Sequence, residues 1–160
     1  MTKVAGLALG LVLAMGLPAV GQTVISGRAA VIDGDTLDIR GVRIRLHGID
    51  APEGGQVCAR SNGAAWQCGE ASARALERYL GSAVVRCQPN GQDRFKRTLA
   101  TCFKGTEDLN SWMVANGWAV AFRRYSMTYV PAEERAQKAR LGLWAGTFQM
   151  PWDWRATQGR

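Results

Sequence analysis

VISGRAAVIDGDTLDIRGVRIRLHG, residues 24–48, is the stretch that decides the fold. Apolar and polar residues alternate along it, and the alternation is interrupted at Asp33-Gly34 and again at Arg40-Gly41. A period of two marks half-buried strands, and glycine-containing pairs of this kind mark the tight turns between them. The reading is therefore three strands, Val24 to Ile32, Thr36 to Ile39 and Val42 to Gly48, paired antiparallel as a meander. In the third, Arg43, Arg45 and His47 take one face while Ile44 and Leu46 take the other. One side of the sheet is core and the other is polar.

Downstream the period changes. Glu70 to Leu80 reads as a helix carrying Ala73, Leu76 and Leu80 on one stripe, with Gly81 as its stop. Two further strands surround the Asn90-Gly91 turn region. Asp108 can cap a second helix that runs to Asn116 and stops at Gly117, and Pro131 can open a third that runs to about Arg140. Strands early and helices mostly later predict an α+β domain built on a small barrel. A chain of 160 residues supplies one core, and neither an internal repeat nor a low-complexity linker divides it.

Upstream, Lys3 precedes an apolar run from Val4 to Leu17, followed by Pro18 and the small residues Ala19, Val20 and Gly21. That layout predicts a secretory signal peptide over residues 1–21 and a mature domain over 22–160; the run is short and glycine-interrupted for a membrane span of about 20 residues. An uncleaved anchor is the alternative. Export to the periplasm or the medium puts Cys58, Cys68, Cys87 and Cys102 in an oxidising compartment, where an even count reads as two disulfides. Three pairings are formally possible. Cys87 with Cys102 is favoured because each lies near the end of an apolar run, Ala83 to Cys87 and Thr98 to Phe103. Cys58 and Cys68 are then left to pin the loop around Asn62 and Gly63. The spacing lacks the short knuckles of structural zinc sites.

Charge points to the class of partner. Twenty Lys and Arg against 13 Asp and Glu give a net charge of +7, and sixteen of those cations are Arg. Such a balance favours an anionic partner, nucleic acid or a lipid surface, and a guanidinium fork matches phosphate oxygens in pairs.

Chemistry concentrates in three segments: Val31-Ile-Asp-Gly-Asp-Thr36, Arg45-Leu-His-Gly-Ile-Asp-Ala-Pro-Glu53 and Asp93-Arg-Phe-Lys-Arg-Thr-Leu-Ala100. Asp33 and Asp35 flank one turn. If Asp50 joins them at a strand end, the three carboxylates repel unless a cation joins them, and oxygen-only ligands suit a hard divalent ion such as calcium. Arg45 lies shortly before Asp50, and Pro52 fixes the loop that carries Glu53. Phosphodiester hydrolysis needs a base for water and donors for charge growing on phosphoryl oxygens, roles that Glu53 and Arg45 can fill. A plain hairpin turn at Asp33-Gly34 and a surface salt bridge at Arg45 are the simpler alternatives.

These three motifs, in this order, resemble the staphylococcal nuclease family, also called thermonucleases or SNase-like domains. The similarity continues through Asn110, Gly117-Trp118-Ala119 and Gly142-Leu143-Trp144, and covers roughly Val24 to Trp154. It implies a five-stranded OB-like β-barrel with three helices, and a micrococcal-type endonuclease that is calcium-dependent. DNA and RNA are the implied substrates, cut to products with 3′-phosphate and 5′-hydroxyl ends. Asp35 and Asp50 match direct calcium ligands, Ala51 would offer its backbone carbonyl, and Asp33 would act through water. Glu53 matches the general base, and Arg45 and Arg97 match the arginines that grip the scissile phosphate. Arg94, Phe95, Phe122 and Tyr125 are the candidates for substrate contact.

The sequence departs from the family in places. Phe95-Lys96 stands where the family has Tyr-Gly, so the ring can stack on a base but donates no hydroxyl. Phe122 and Tyr125 match the family's stacking tyrosines only loosely in spacing. His47 is read as a neighbour of the site, Trp144, Trp152 and Trp154 as packing residues, and Arg123 and Arg124 as candidates for non-specific phosphate contacts. A monomer without stable membrane association after signal cleavage is expected. The competing class is a non-catalytic OB-type nucleic-acid-binding module, which gains nothing from carboxylates that would oppose its ligand.

Overall fold

The computed structural model describes residues 23–159, so the signal-peptide reading of residues 1–21 lies outside the described residues. Ile25–Arg28 (β1) and Ala30–Asp33 (β2) are two halves of one bent strand with only Ala29 between them. Antiparallel pairing then carries β2 onto Thr36–Ile39 (β3) and β3 onto Val42–Leu46 (β4), which is the expected meander. Both residues of the β3–β4 turn, Arg40 and Gly41, have positive φ, at 54° and 82°. That is the two-residue turn whose twist matches the strands it joins, and the Asp38 carboxylate fixes it by accepting the Gly41 N–H at 2.8 Å.

Ile49–Asp50 (β5) follows β4 after a short turn. Val57–Ala59 (β6) and Ala65–Gln67 (β7) form a small hairpin that leads into Cys68–Leu80 (α1). The helix buries Cys68, Gly69, Ser72, Ala75, Leu76 and Leu80, so its inner stripe passes through Ser72 and Ala75 where the sequence pattern placed Ala73.

Two long antiparallel strands come next, Val84–Gln92 (β8) and Thr98–Lys104 (β9). Asn90-Gly91 is not their turn. It lies inside β8, where the register shifts between Pro89 and Gly91 and the φ of 135° at Gly91 accommodates the bulge. The chain reverses instead at residues 93–97. There the Asp93 carboxylate accepts the N–H groups of Phe95 and Arg97, each at 2.9 Å, and the Asp93 N–H donates to the Arg97 carbonyl at 3.0 Å. One aspartate satisfying several turn donors outweighs the local preference of an Asn-Gly pair.

Closure follows from the pairing order. β9 lies parallel to β4, β8 lies antiparallel to both β9 and β1, and the sheet runs β1-β8-β9-β4-β3-β2. It begins and ends on the two halves of one bent strand, so it curls into the five-stranded OB-like barrel of an α+β domain.

Glu107–Asp108 (β10) edges β9 and leads to Leu109–Ala115 (α2), whose cap is the Asp108 carboxylate accepting the Ser111 N–H. Val120–Ala121 (β11) pairs with β5, placing Val120 opposite Asp50. Val130–Lys138 (α3) has Pro131 in its first turn, a single 3-10 turn covers Gly142–Ala145, and Pro151–Thr157 (α4) adds a fourth helix to the three expected. The barrel core is Leu37, Ile39, Ile44, Leu46, Val85 and Ala100, closed by Leu76, Leu109 and Met113. A second cluster packs Trp66, Trp144 and Trp152 against Cys58, Cys68, Val120 and Leu143, so two of the terminal tryptophans serve packing. Among the described residues no helix is long and apolar enough to cross a membrane.

Both expected disulfides are present. Cys87–Cys102 joins directly opposed residues of β8 and β9, and Cys58–Cys68 ties β6 to the first residue of α1. Replacing Cys87 and Cys102 together by Ala should cost about 3 kcal/mol for a loop of this length and lower Tm by roughly 6–12 °C. A calorimetric Tm equal to wild type would contradict this role.

Candidate functional site

Asp35 closes the turn between β2 and β3. Asp33 shapes that turn by accepting the Asp35 N–H at 3.0 Å. Gly34 is required for contact, since an added Cβ would lie 2.1 Å from Ser72 Oγ and 2.7 Å from Ala51 Cβ. The turn is thereby pressed between α1 and the loop that follows β5. Asp35 is 1% exposed and Asp50 fully buried. Arg45 on β4 reaches both: Nη1 donates to Asp35 Oδ1, and Nη2 donates to Asp50 Oδ1 at 2.6 Å. The Ala51 N–H donates to Asp35 Oδ2 at 2.7 Å, so Ala51 contacts Asp35 through its N–H.

Glu53 lies on the loop beyond Ala51 and is held there by residues that the sequence reading did not single out. Buried Gln56 accepts the Glu53 N–H at 3.3 Å, returns its own N–H to the Glu53 carbonyl at 2.7 Å, and donates its side-chain amide to the Gln149 carbonyl at 2.6 Å. From the far end of the chain, α4 contributes Arg155. Its Nη2 donates to Asp50 Oδ2 at 2.7 Å, and its Nη1 donates to Asp50 Oδ1 at 3.0 Å and Glu53 Oε1 at 2.8 Å. Sequence reasoning missed Arg155 because its partners are more than a hundred positions away. The local signal was a helix opened by Pro151 that sets Trp152 and Arg155 three apart, on one side.

Electrostatics follow from this crowding. Asp33, Asp35, Asp50 and Glu53 bring four carboxylates against the two guanidinium groups of Arg45 and Arg155. Burial pushes the Asp35 carboxyl up to about 8; Arg45 and the Ala51 N–H pull it down, while Asp33 and Asp50 raise it further. Burial works against the Arg45 charge, yet Asp35, Asp50 and Asp33 together hold its pKa above the ordinary arginine value. Arg155 is raised in the same way by Asp50 and Glu53. Among the described residues no group of three metal-ligating side chains is assembled around one point, and guanidinium nitrogens lie among the acids. The carboxylates nevertheless offer oxygen donors alone, buried at Asp35 and Asp50 and in formal excess of negative charge, which is the chemistry a hard divalent cation satisfies.

The remaining sequence candidates sit on the β8–β9 reversal, after β11 and at the end of β4. Arg97 precedes β9 by one residue, two before Leu99, the parallel partner of Arg45. Asp93 holds its Nε at 2.7 Å, and despite partial burial these bonds depress the Asp93 pKa. Phe95 is 63% exposed, with the Arg94 and Arg97 guanidinia over its ring at 4.7 and 5.5 Å. Phe122 follows β11 and stacks on Trp152, with ring centroids 5.2 Å apart and planes 10° apart, while the exposed Tyr125 meets it edge-on. Arg123 pairs with the buried carboxylate of Glu133, and Arg124 is exposed. His47 enters the network through its backbone, its carbonyl accepting from Asn110 at 2.9 Å.

Comparison with known proteins adds an independent finding. A family model described as "Staphylococcal nuclease homologue" matches residues 43–146. That span holds Arg45, Asp50, Glu53 and Arg97, while Asp33, Asp35 and Arg155 lie outside it. The chain is 41% identical over 123 residues to the succinoglycan biosynthesis protein ExoI of Rhizobium meliloti (strain 1021), covering 75% of this chain and 64% of that protein. It is 34% identical over 133 residues to an uncharacterized endonuclease of Haemophilus influenzae, covering 78% and 69%. To the micrococcal nuclease of Shigella flexneri it is 30% identical over 143 residues, covering 78% and 76%. The chain therefore spans less than two thirds of the length of the Rhizobium protein.

Packing of the Glu53 loop on α1 can be tested without an activity assay. A Cβ at Gly69 would lie 1.7 Å from the Glu53 carbonyl oxygen, a backbone atom that cannot swing aside. Gly69→Ala should lower stability by about 1–3 kcal/mol in urea unfolding; an unchanged midpoint would mean that the loop does not rest on this helix.

Proposed function

The chain belongs to the staphylococcal nuclease family, and on that premise we propose that it is an exported, calcium-dependent endonuclease. It hydrolyses phosphodiester bonds of DNA and RNA, leaving 3′-phosphate and 5′-hydroxyl ends. The observation that carries the reading is Arg45 joining the buried carboxylates of Asp35 and Asp50 beside Glu53. A pure binding module has no use for buried acids next to phosphate-seeking arginines, because they oppose the ligand.

In this reading Asp35 and Asp50 hold calcium, aided by the Ala51 carbonyl and, through water, by Asp33. The ion, when bound, supplies positive charge that polarises a phosphoryl oxygen and favours ionisation of water. Glu53 accepts the proton of the attacking water. As the water oxygen bonds to phosphorus, the bond from phosphorus to the 5′ oxygen breaks, and the leaving oxygen takes up a proton to become the 5′-hydroxyl. Arg45 and Arg97 donate to the phosphoryl oxygens as negative charge grows on them, a contribution greatest in the transition state. Asp93 occupies Nε of Arg97, which leaves its Nη groups as the donors for phosphate. Arg94 adds charge along the strand, and Phe95 and Tyr125 offer exposed rings on which bases stack. Phe122, backed by Trp152, supports Tyr125 edge-on.

Two disulfides suit an oxidising compartment outside the cytosol, and the excess of arginine suits a polyanionic substrate. Digestion of plain DNA and RNA in calcium, and again with chelator, followed by end-group analysis, tests metal, reaction and polarity together. Cleavage only with calcium, to 3′-phosphate ends, is the expected result; no cleavage in either condition contradicts the reading. Arg97→Ala should lower turnover by at least about a hundredfold with little loss of single-strand binding, and Glu53→Gln should slow cleavage while calcium still binds. Equal losses of binding and turnover in Arg97→Ala would mark it as a general phosphate contact.

A further inference from the structure

We propose that Arg155 is a positioning residue for Glu53, which makes the C-terminal helix α4 a working part of the site; the inference rests on the nuclease reading above. Glu53 needs such a partner. Its loop continues into Gly54 and Gly55, both exposed and with nothing near where a side chain would stand. Gln56 secures the Glu53 backbone but does not touch its carboxylate. Among the described residues, the polar contact made by that carboxylate is the one Arg155 Nη1 donates to Oε1 at 2.8 Å.

The same guanidinium is locked at its other end. Both oxygens of Asp50 accept from it, at 3.0 and 2.7 Å, and Asp50 is itself fully buried and held by Arg45. A planar guanidinium fixes the direction of every donor it carries. Arg155 therefore transfers the rigidity of the barrel, through Asp50, to a side chain on a glycine-flanked loop. With Oε1 held, Oε2 remains for the proton of water, and a general base works only when its oxygen keeps that position.

α4 is anchored on both sides of this contact. Trp152, three residues before Arg155, stacks on Phe122, which directly follows the strand β11 that pairs with Asp50. Gln149, just ahead of the helix, is tied by its carbonyl to Gln56. Pro151 is buried and starts the helix. Each tie leads back to the Asp50–Glu53 segment, although α4 lies beyond the residues matched by the family model. The chain thus supplies from its own C-terminal end a clamp on the residue that takes the proton.

A double-mutant cycle tests the proposal, using DNA cleavage in calcium by wild type, Arg155→Met, Glu53→Gln and the double variant. Arg155→Met should lower kcat about tenfold or more with KM within about threefold, and Arg155→Lys should recover part of the loss. In the Glu53→Gln background Arg155→Met should cost nothing further, since it acts through the missing carboxylate. Calcium binding followed by calorimetry should be retained in Arg155→Met, because Asp35 and Asp50 are both left in place. Full activity of Arg155→Met, an equal loss on both backgrounds, or loss of calcium binding would each overturn the proposal. If Arg155→Met fails to melt cooperatively, Arg155→Lys carries the same cycle. An inert wild type would overturn the nuclease reading and this inference with it; an active wild type with any of the contrary outcomes overturns this inference alone.

Discussion

A single guanidinium, that of Arg45, lies between two carboxylates that have been taken out of water. Isolated, either Asp35 or Asp50 would be expensive to bury in ionised form. Together they gain a shared partner, and the site exists because the barrel delivers all three groups to one point. Asp35 arrives on a turn, Arg45 on the strand paired beside it, and Asp50 on the short strand after the next turn. The balance is incomplete. Four acids against two arginines leave negative charge in excess; burial is the main cause of the raised pKa of Asp35, and Asp33 and Asp50 add to it. Under the proposed function a divalent cation removes the excess.

The rest of the structure can be understood as what keeps these groups from separating. Closure of the sheet on one bent strand fixes β3 beside β4 and β4 beside β9, which registers Arg45 opposite Leu99, two residues after Arg97. Asn110 ties the end of β4 to β9 by donating to the carbonyls of His47 and Ala100 and accepting the Cys102 N–H. α1 comes close enough at Gly69 and Ser72 to fix both the Asp35 turn and the Glu53 loop, contacts that side chains at Gly34 or Gly69 would destroy. The Cys58–Cys68 bridge holds the start of that helix.

Sequence legibility tracked how local the cause was. The meander, the Asp108 cap and the Arg40-Gly41 turn are decided within a few residues, and each was readable from alternation, capping chemistry and turn chemistry. The disulfide of β8 with β9 was readable because apolar runs predicted two strands lying side by side. Asn90-Gly91 misled because the deciding group, the Asp93 carboxylate, satisfies a different reversal a few residues on. The fourth helix escaped because it is short and its apolar face is made of tryptophans that also suit a loop. Arg155 and Gln56 were invisible for a stronger reason: their roles are set by contacts across the fold, and nothing adjacent to them encodes a partner. The motif Asp-Gly-Asp-Thr with Asp-Ala-Pro-Glu was legible as chemistry, and the family match adds the nuclease context without reaching Asp33, Asp35 or α4.

The central claim is that buried acids joined by Arg45 form a seat for a divalent cation. Thermal unfolding of wild type and Asp50→Asn, each with saturating calcium and with chelator, addresses it most directly. Binding to the folded state alone stabilises by about 2.7 kcal/mol at a hundredfold excess over Kd, so calcium should raise the wild-type Tm by several degrees and leave Asp50→Asn unmoved. A wild-type transition that is the same in calcium and in chelator would contradict the account.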